Sequence, residues 1–255
     1  MTNGAPTDDR PVMLITGGAR GIGAAIARAA ASDGYRVVIN YADSAGIAAD
    51  LVEEIGATGG YAVTIRADVA DEAQVLAMFA AVDHTFGRLD VLVNNAGTAG
   101  GYGPLASVSA TMLARLWAVN ITGPFLCARE AAARMRTDTG GRGGSIVNIS
   151  SKAAVLGGSH EWVHYAASKG ALDTMTVGLA KELATVGVRV NGVRPGLIES
   201  DFHLHAPSGR VERMAPLIPM ERSGTPEEVA GAVLWLASPA ASYVTGAFID
   251  VTGGR

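Results

Sequence analysis

Strand-length apolar runs alternate with helix-length amphipathic stretches along nearly the whole chain, and this alternation most constrains what the polypeptide can become. Two parallel strands need a crossover of a dozen or more residues between them, usually a helix. Repeated β-α-β units therefore predict an α/β architecture, a doubly wound parallel sheet with helices on both faces. The candidate strands are 12–16, 36–40, 61–66, 89–94, 145–149, 189–193 and 247–250, which gives about seven. Several are β-branched and nearly free of charge, as strands buried on both faces must be. A composition of 49% hydrophobic and only 17% charged residues fits such a sheet.

Helix signals fall in the gaps. The segment 21–32 is Ala-rich and is followed by Gly34, placed as a C-terminal stop. Asp71 and Gln74 read as a capping box opening a helix to His84, and Thr225, Pro226 and Glu228 supply an N-cap, a first-turn proline and a reciprocal cap for a helix to Ala237. No linker divides the chain, so residues 11–255 read as a single domain behind a disordered tail at 1–10. Residues 199–222 mix Pro, His, Met and Arg without clear periodicity beyond the end of a strand, the place of a substrate lid.

Several classes of function are disfavoured. A net charge of −4 offers no broad basic surface, so neither nucleic acid nor an anionic membrane is the expected partner, and a small molecule is. The single cysteine, Cys127, allows no intramolecular disulfide and no cysteine metal site, and reads as a small buried apolar residue. The first ten residues lack the apolar core of a secretion signal, and no apolar run approaches the about 18 residues of a membrane span, so a cytoplasmic protein is expected.

The first strand leads directly into Thr16-Gly17-Gly18-Ala19-Arg20-Gly21-Ile22-Gly23 and then a helix. Glycine permits the tight turn and the close approach of backbone to phosphate, and the helix N-terminus favours an anion. The spacing departs from G-x-G-x-x-G, and Ala24 and Ala25 stand where a P-loop needs Lys-Ser/Thr, which excludes a phosphoryl-transfer loop.

Further on, Tyr165 and Lys169 are four residues apart in a helical segment, 165–183, so both project from one face. A cation beside a phenol favours phenolate and would draw its pKa from about 10 toward the working range of a general acid/base. Ser150 and Ser151 end the strand before them. His160 and His164 lie nearby, but Gly-x-Ser-x-Gly is absent, which disfavours a serine hydrolase. These histidines, with Glu161 and Trp162, would shape a substrate pocket or pack.

Taken together, Thr16-Gly-x-x-x-Gly21-x-Gly23, Asp68-Val69, Asn94-Asn95-Ala96-Gly97, Tyr165-Ala-Ala-Ser168-Lys169 and Arg194-Pro195-Gly196-Leu197-Ile198-Glu199-Ser200 resemble, in order, the motifs of the short-chain dehydrogenases/reductases. The likeness extends to Thr245-Gly246 and Gly253-Gly254 near the C-terminus, and is to bacterial members such as 3-oxoacyl-acyl-carrier-protein reductases, glucose dehydrogenases and, as the NAD(H)-dependent alternative, sugar or polyol dehydrogenases. It implies a single-domain Rossmann fold and an enzyme interconverting a secondary alcohol and a ketone with a nicotinamide cofactor. It implies that Ser151 holds the substrate oxygen, that Tyr165 exchanges its proton, that Lys169 holds the nicotinamide ribose and depresses the tyrosine, and that Asn120 orders a relay water. Ser151 precedes Tyr165 by one residue more than in many members, which keeps Ser150 as a rival and points to an insertion near Gly157-Gly158.

For the cofactor the resemblance implies Gly17, Arg20, Gly21, Ile22 and Gly23 at the phosphates, Asn40 and Tyr41 at the adenosine ribose, and Asp68 and Val69 at the adenine. It implies Asn95, Ala96 and Gly97 beneath the dinucleotide, and Pro195, Gly196, Ile198 and Ser200 at the carboxamide, where serine replaces the usual threonine. No carboxylate ends the second strand, and Arg20 could meet a 2′-phosphate, so NADP(H) is preferred; Asp43 keeps NAD(H) as an alternative. A non-catalytic NADP(H)-binding scaffold would show a broken tetrad. The family also implies a homotetramer packed through helices around 111–136 and 162–183. The substrate-facing loops carry no diagnostic sequence, and fold analogy cannot choose among substrates.

Overall fold

A computed structural model of the chain describes residues 9–200 and 208–255. Its centre is a seven-stranded sheet of β1 (Val12–Ile15), β2 (Arg36–Tyr41), β3 (Tyr61–Arg66), β4 (Val91–Asn94), β5 (Gly144–Ile149), β6 (Val188–Pro195) and β7 (Phe248–Val251), in the order β3-β2-β1-β4-β5-β6-β7. Every strand pairing is parallel. All seven expected strands are present. The order reverses between β1 and β4, which opens a crevice at their C-terminal ends, where ligands bind in sheets of this type.

The period of two within a strand builds two cores. Val12 and Leu14 face one side with Phe79, Met135 and Leu172, while Met13 and Ile15 face the other with Ile26, Leu51 and Val233; all of these are buried. The first layer consists of α3 (Glu72–Phe86), α5 (Gly123–Met135) and α7 (Val163–Leu183), the second of α1 (Gly21–Ser32), α2 (Ala45–Ala57) and α9 (Pro226–Ala237). The alanines of α1 let it lie close against α9. Shorter helices are α4 (Ala110–Trp117), α6 (Ala153–Leu156) and α8 (Arg210–Met214).

Local signals behave as their chemistry requires, with one difference. Gly34 adopts φ +87° past the end of α1, and Thr225 and Glu228 form the reciprocal capping box of α9. Asp71 accepts from the amides of Ala73 and Gln74, but Gln74 does not return to the Asp71 amide. Its Nε2 donates to the Asp71 carboxylate and its Oε1 accepts from the Asp68 amide, because Asp71 N already donates to the Asp68 carbonyl. Asp9 and Arg10, assigned to the disordered tail, are held: Asp9 pairs with Arg88 and Arg142, and the Arg10 carbonyl accepts from Arg36. Residues 1–8, and 201–207 of the expected lid, lie outside the described residues. The described part of that segment contains α8, whose Arg210 pairs with Glu161 at 2.7 Å and lies over the Trp162 ring.

Candidate active site

A cleft of about 750 Å³ opens at the switch point, lined at one end by the glycine loop and at the other by Ser150, Ser151, Tyr165 and Lys169. Every residue expected to meet the cofactor lines it except Gly23, which lies underneath. A second cavity of about 810 Å³, bordered by Tyr35, Asp90, Arg189 and Tyr243, sits at the opposite ends of the strands and contains none of the expected site residues.

The glycine loop is shaped as a cradle. Gly17 and Gly21 take φ of +59° and +52°, which L side chains disfavour. A Cβ on Gly23 would lie 2.5 Å from the Gly17 carbonyl oxygen and 2.6 Å from Asn95 Nδ2. The N-cap residue of α1, Arg20, contributes no side-chain cap, so the first amides of that helix remain for an anion in the cleft. These features fit the pyrophosphate of a dinucleotide.

Three asparagines near the cleft spend their amides on protein. Asn40 accepts from the Gly17 amide and donates to the carbonyls of Ile65 and Ala67. A carboxylate could not donate to those carbonyls, so the position demands an amide, and its side chain ties β2 to the loop at the wall of the cleft. Asn95 Nδ2 donates to the carbonyls of Thr16 and Gly17, fixing the loop from below. Asn94 donates to Asn148, which donates to Thr176 on α7, a buried polar ladder joining β4, β5 and the helix of Tyr165. Asp68 is paired with Arg115 at 2.8 Å, a partner on α4 that no local sequence signal announces. Val69 is buried and fills the space that a side chain at Gly123 would occupy.

Asn120 is also turned inward. It lies in a π-helical turn, 118–122, between α4 and α5. Its Oδ1 accepts from the Thr98 amide, and its Nδ2 donates to the Thr98 carbonyl and to Ser168 Oγ. The side chain is buried and does not line the cleft, so a water in the cleft would have to meet something other than its amide.

The two serines part company. Ser150 is buried and its hydroxyl donates to the Lys169 carbonyl, whereas the Ser151 hydroxyl is hydrogen-bonded to the Tyr165 phenol and accepts from the Ala153 amide. In the loop before Tyr165 the backbone is left-handed at Gly157, Gly158 and His160. Trp162 is buried and meets Tyr102 edge to face, and His164 is buried against the Ala99 carbonyl, so both pack.

Tyr165 and Lys169 share a face of α7, with Lys169 Nζ 5.7 Å from the centre of the phenol ring. Contrary to the sequence expectation, the phenol is not drawn down. Burial pushes it up to about 12, opposed in part by the Ser151 hydrogen bond. Burial likewise brings Lys169 down to about 8, opposed by the charge of Asp173, while its ammonium donates to the Ile149 carbonyl at 2.7 Å. Desolvation penalises the charged form of each group, and here it outweighs the Ser151 hydrogen bond at the phenol and the Asp173 charge at the ammonium.

Comparison with known proteins gives the family. A family model described as Enoyl-(Acyl carrier protein) reductase matches residues 17–255. A Serratia marcescens short-chain dehydrogenase/reductase variant superposes with a TM-score of 0.88 at 35% identity, over 98% of this chain and 99% of the other. The chain belongs to the short-chain dehydrogenase/reductase family. Within it, this short-chain dehydrogenase/reductase is 48% identical to the oxidoreductase YgfF of Escherichia coli over 96% of its length and 99% of the relative. It is 40% identical to a 3-oxoacyl-[acyl-carrier-protein] reductase of Synechocystis, over 95% and 96%. A blue fluorescent protein from a metagenomic library, solved with NADPH, is 39% identical, with a TM-score of 0.88 over 96% and 97% of the two chains. This short-chain dehydrogenase/reductase is an oxidoreductase, as its Escherichia coli and Synechocystis relatives are named, and its family uses NAD(P). No helix among the described residues is long and apolar enough to cross a membrane.

Proposed function

We propose that this short-chain dehydrogenase/reductase interconverts a secondary alcohol and a ketone, preferring NADP(H), with Tyr165 as general acid/base. The observation that carries this reading is the hydrogen-bonded Ser151–Tyr165 pair, with Lys169 one helical turn away, at the end of a cleft that begins at a glycine cradle. The nicotinamide, when bound, supplies or accepts the hydride. Ser151 then holds the substrate oxygen by its hydroxyl, and Tyr165 delivers a proton to that oxygen in reduction or removes it in oxidation. A phenol near 12 is protonated at neutral pH, the form that reduction requires. Lys169 stands within reach of a ribose at the cleft floor, and Asn120 acts by holding the backbone of Thr98.

At the adenosine end the exposed Arg20 and the hydroxyl of Ser44, at the start of α2, favour a 2′-phosphate. The carboxylate of Asp43, on the same rim, is what favours NAD(H) as the second reading. Arg20→Ala is expected to weaken NADPH binding about tenfold, the worth of one charge-assisted contact, and to leave NADH binding unchanged. Titration of both cofactors decides it, and equal losses for the two refute the assignment.

The reaction itself is tested with a panel of ketones and alcohols against both cofactors, following reduced nicotinamide absorbance. Ser151→Ala should lower kcat by about 10²-fold, in the range of a lost transition-state hydrogen bond, and Ser150→Ala by far less. The reverse order would assign the role to Ser150. Exposed Phe125 on α5 and Val177 on α7 support a homotetramer packed through these helices, and the protein is read as cytoplasmic.

A further inference from the structure

We propose that Asp173 is a positioning residue that keeps Lys169 protonated, and that it is held in place by a ladder of alternating charge running from Lys169 to Lys152. The proposal rests on the reading of Lys169 given above. Tyr165, Lys169 and Asp173 follow one another at intervals of four on α7, so they form a single stripe. Lys169 is buried, and the hydrogen-bond acceptor at its ammonium is the neutral Ile149 carbonyl. A buried ammonium with only neutral partners loses its proton readily. The carboxylate of Asp173 is the charge that opposes this.

Asp173 is itself anchored. Its Oδ2 accepts from Arg194 Nε and Nη2, both at 2.9 Å, while its buried Oδ1 has no hydrogen-bond partner among the described residues. Arg194 lies over the Phe248 ring at 3.8 Å, and its Nη1 is 3.8 Å from Asp250, its register partner across β6 and β7. Asp250 in turn accepts from Lys152 Nζ at 2.6 Å. Lys152 follows Ser151 directly, and its amide donates to the Pro195 carbonyl. The ladder thus leaves the proton-transfer site at Lys169, crosses two strands and returns beside Ser151. Among the described residues, the polar and titratable groups facing Lys169 are the Tyr165 phenol and Asp173 on its own helix, the Ile149 carbonyl on β5 and Ser150 just beyond it, and Asn120 beyond Gly97. Only Asp173 among them is charged. Two of the chain's three lysines stand at the ends of the ladder.

The small number of lysines makes the test direct. The full chain labelled at lysine Cε with carbon-13 gives three signals, assigned through Lys152→Arg and Lys181→Arg, and the Lys169 midpoint is read by titration without turnover. Asp173→Asn is expected to lower the proton affinity of Lys169 about tenfold, and to move the alkaline fall in kcat/KM to lower pH. A merely structural loosening of α7 would admit water and raise the midpoint toward 10.5. A midpoint that rises or stays overturns the proposal. If Asp173→Asn does not fold, Asp173→Ser repeats the measurement with the same expected sign. A lowered midpoint with an unaltered pH–rate profile would support the coupling and show that the charge of Lys169 has no part in the reaction. The two readings therefore fail separately.

Discussion

Replacing Tyr165 by phenylalanine is expected to lower turnover by about 10²- to 10⁴-fold, the usual contribution of a positioned general acid/base, while NADPH binds as before. The substitution removes one oxygen from a half-buried ring at the cleft wall and leaves the ring where it is. Ser151 keeps its bond from the Ala153 amide, and Lys169 keeps the Ile149 carbonyl. The phenol has no part in the glycine cradle, at the other end of the cleft. Stability should change little, since the hydroxyl lost is at the wall of an open cleft. Steady-state rates with the best ketone of the panel, beside the fluorescence of bound NADPH, give the comparison. Undiminished turnover would remove Tyr165 from the chemistry.

Gly23→Ala, by contrast, is expected to weaken cofactor binding. Its methyl group would meet the Gly17 carbonyl, the Asn95 amide nitrogen and Gly18 Cα, at 2.5, 2.6 and 2.9 Å. None can step aside cheaply: two are backbone, and Asn95 is bonded to the carbonyls of Thr16 and Gly17. The first turn of α1 must therefore shift away from the loop, at a cost of about 1–3 kcal/mol in stability and at least about tenfold in NADPH affinity. Gly56→Ala, in exposed α2 with open space around it, is the control and should be neutral or stabilising by a few tenths of a kcal/mol or more. Equal effects at the two positions in thermal melts and cofactor titrations would show that Gly23 has no special place.

Much of the fold was legible because its signals are local. Apolar runs mark strands wherever both faces are covered, and the boundaries of α1 agree with the alanine run and Gly34 because helix stops are set by one or two residues. The α7 helix begins at Val163, ahead of the segment read from Tyr165, since its first turn carries no capping side chain to announce it. At the site, the spacing of Tyr165 and Lys169 follows from helix geometry alone. The direction of the phenol's pKa did not, because it depends on burial that neighbouring strands and helices impose.

The sequence by itself determined the β-α-β order, the glycine turn, and the family to which the motifs belong. These are properties of residues within a few positions of one another. Tertiary structure alone decided which polar groups remain for a ligand. Asn40, Asn95 and Asn120 look equally available in the sequence, yet each gives its amide to backbone of the protein. The Ser151 hydroxyl meets Tyr165 while that of Ser150 turns to the Lys169 carbonyl. Asp173 meets Arg194 across 21 positions of chain, and Arg115 meets Asp68 across 47. Hydrogen bonds and charges choose partners by distance in space, and that distance exists only once the sheet has brought its strand ends together.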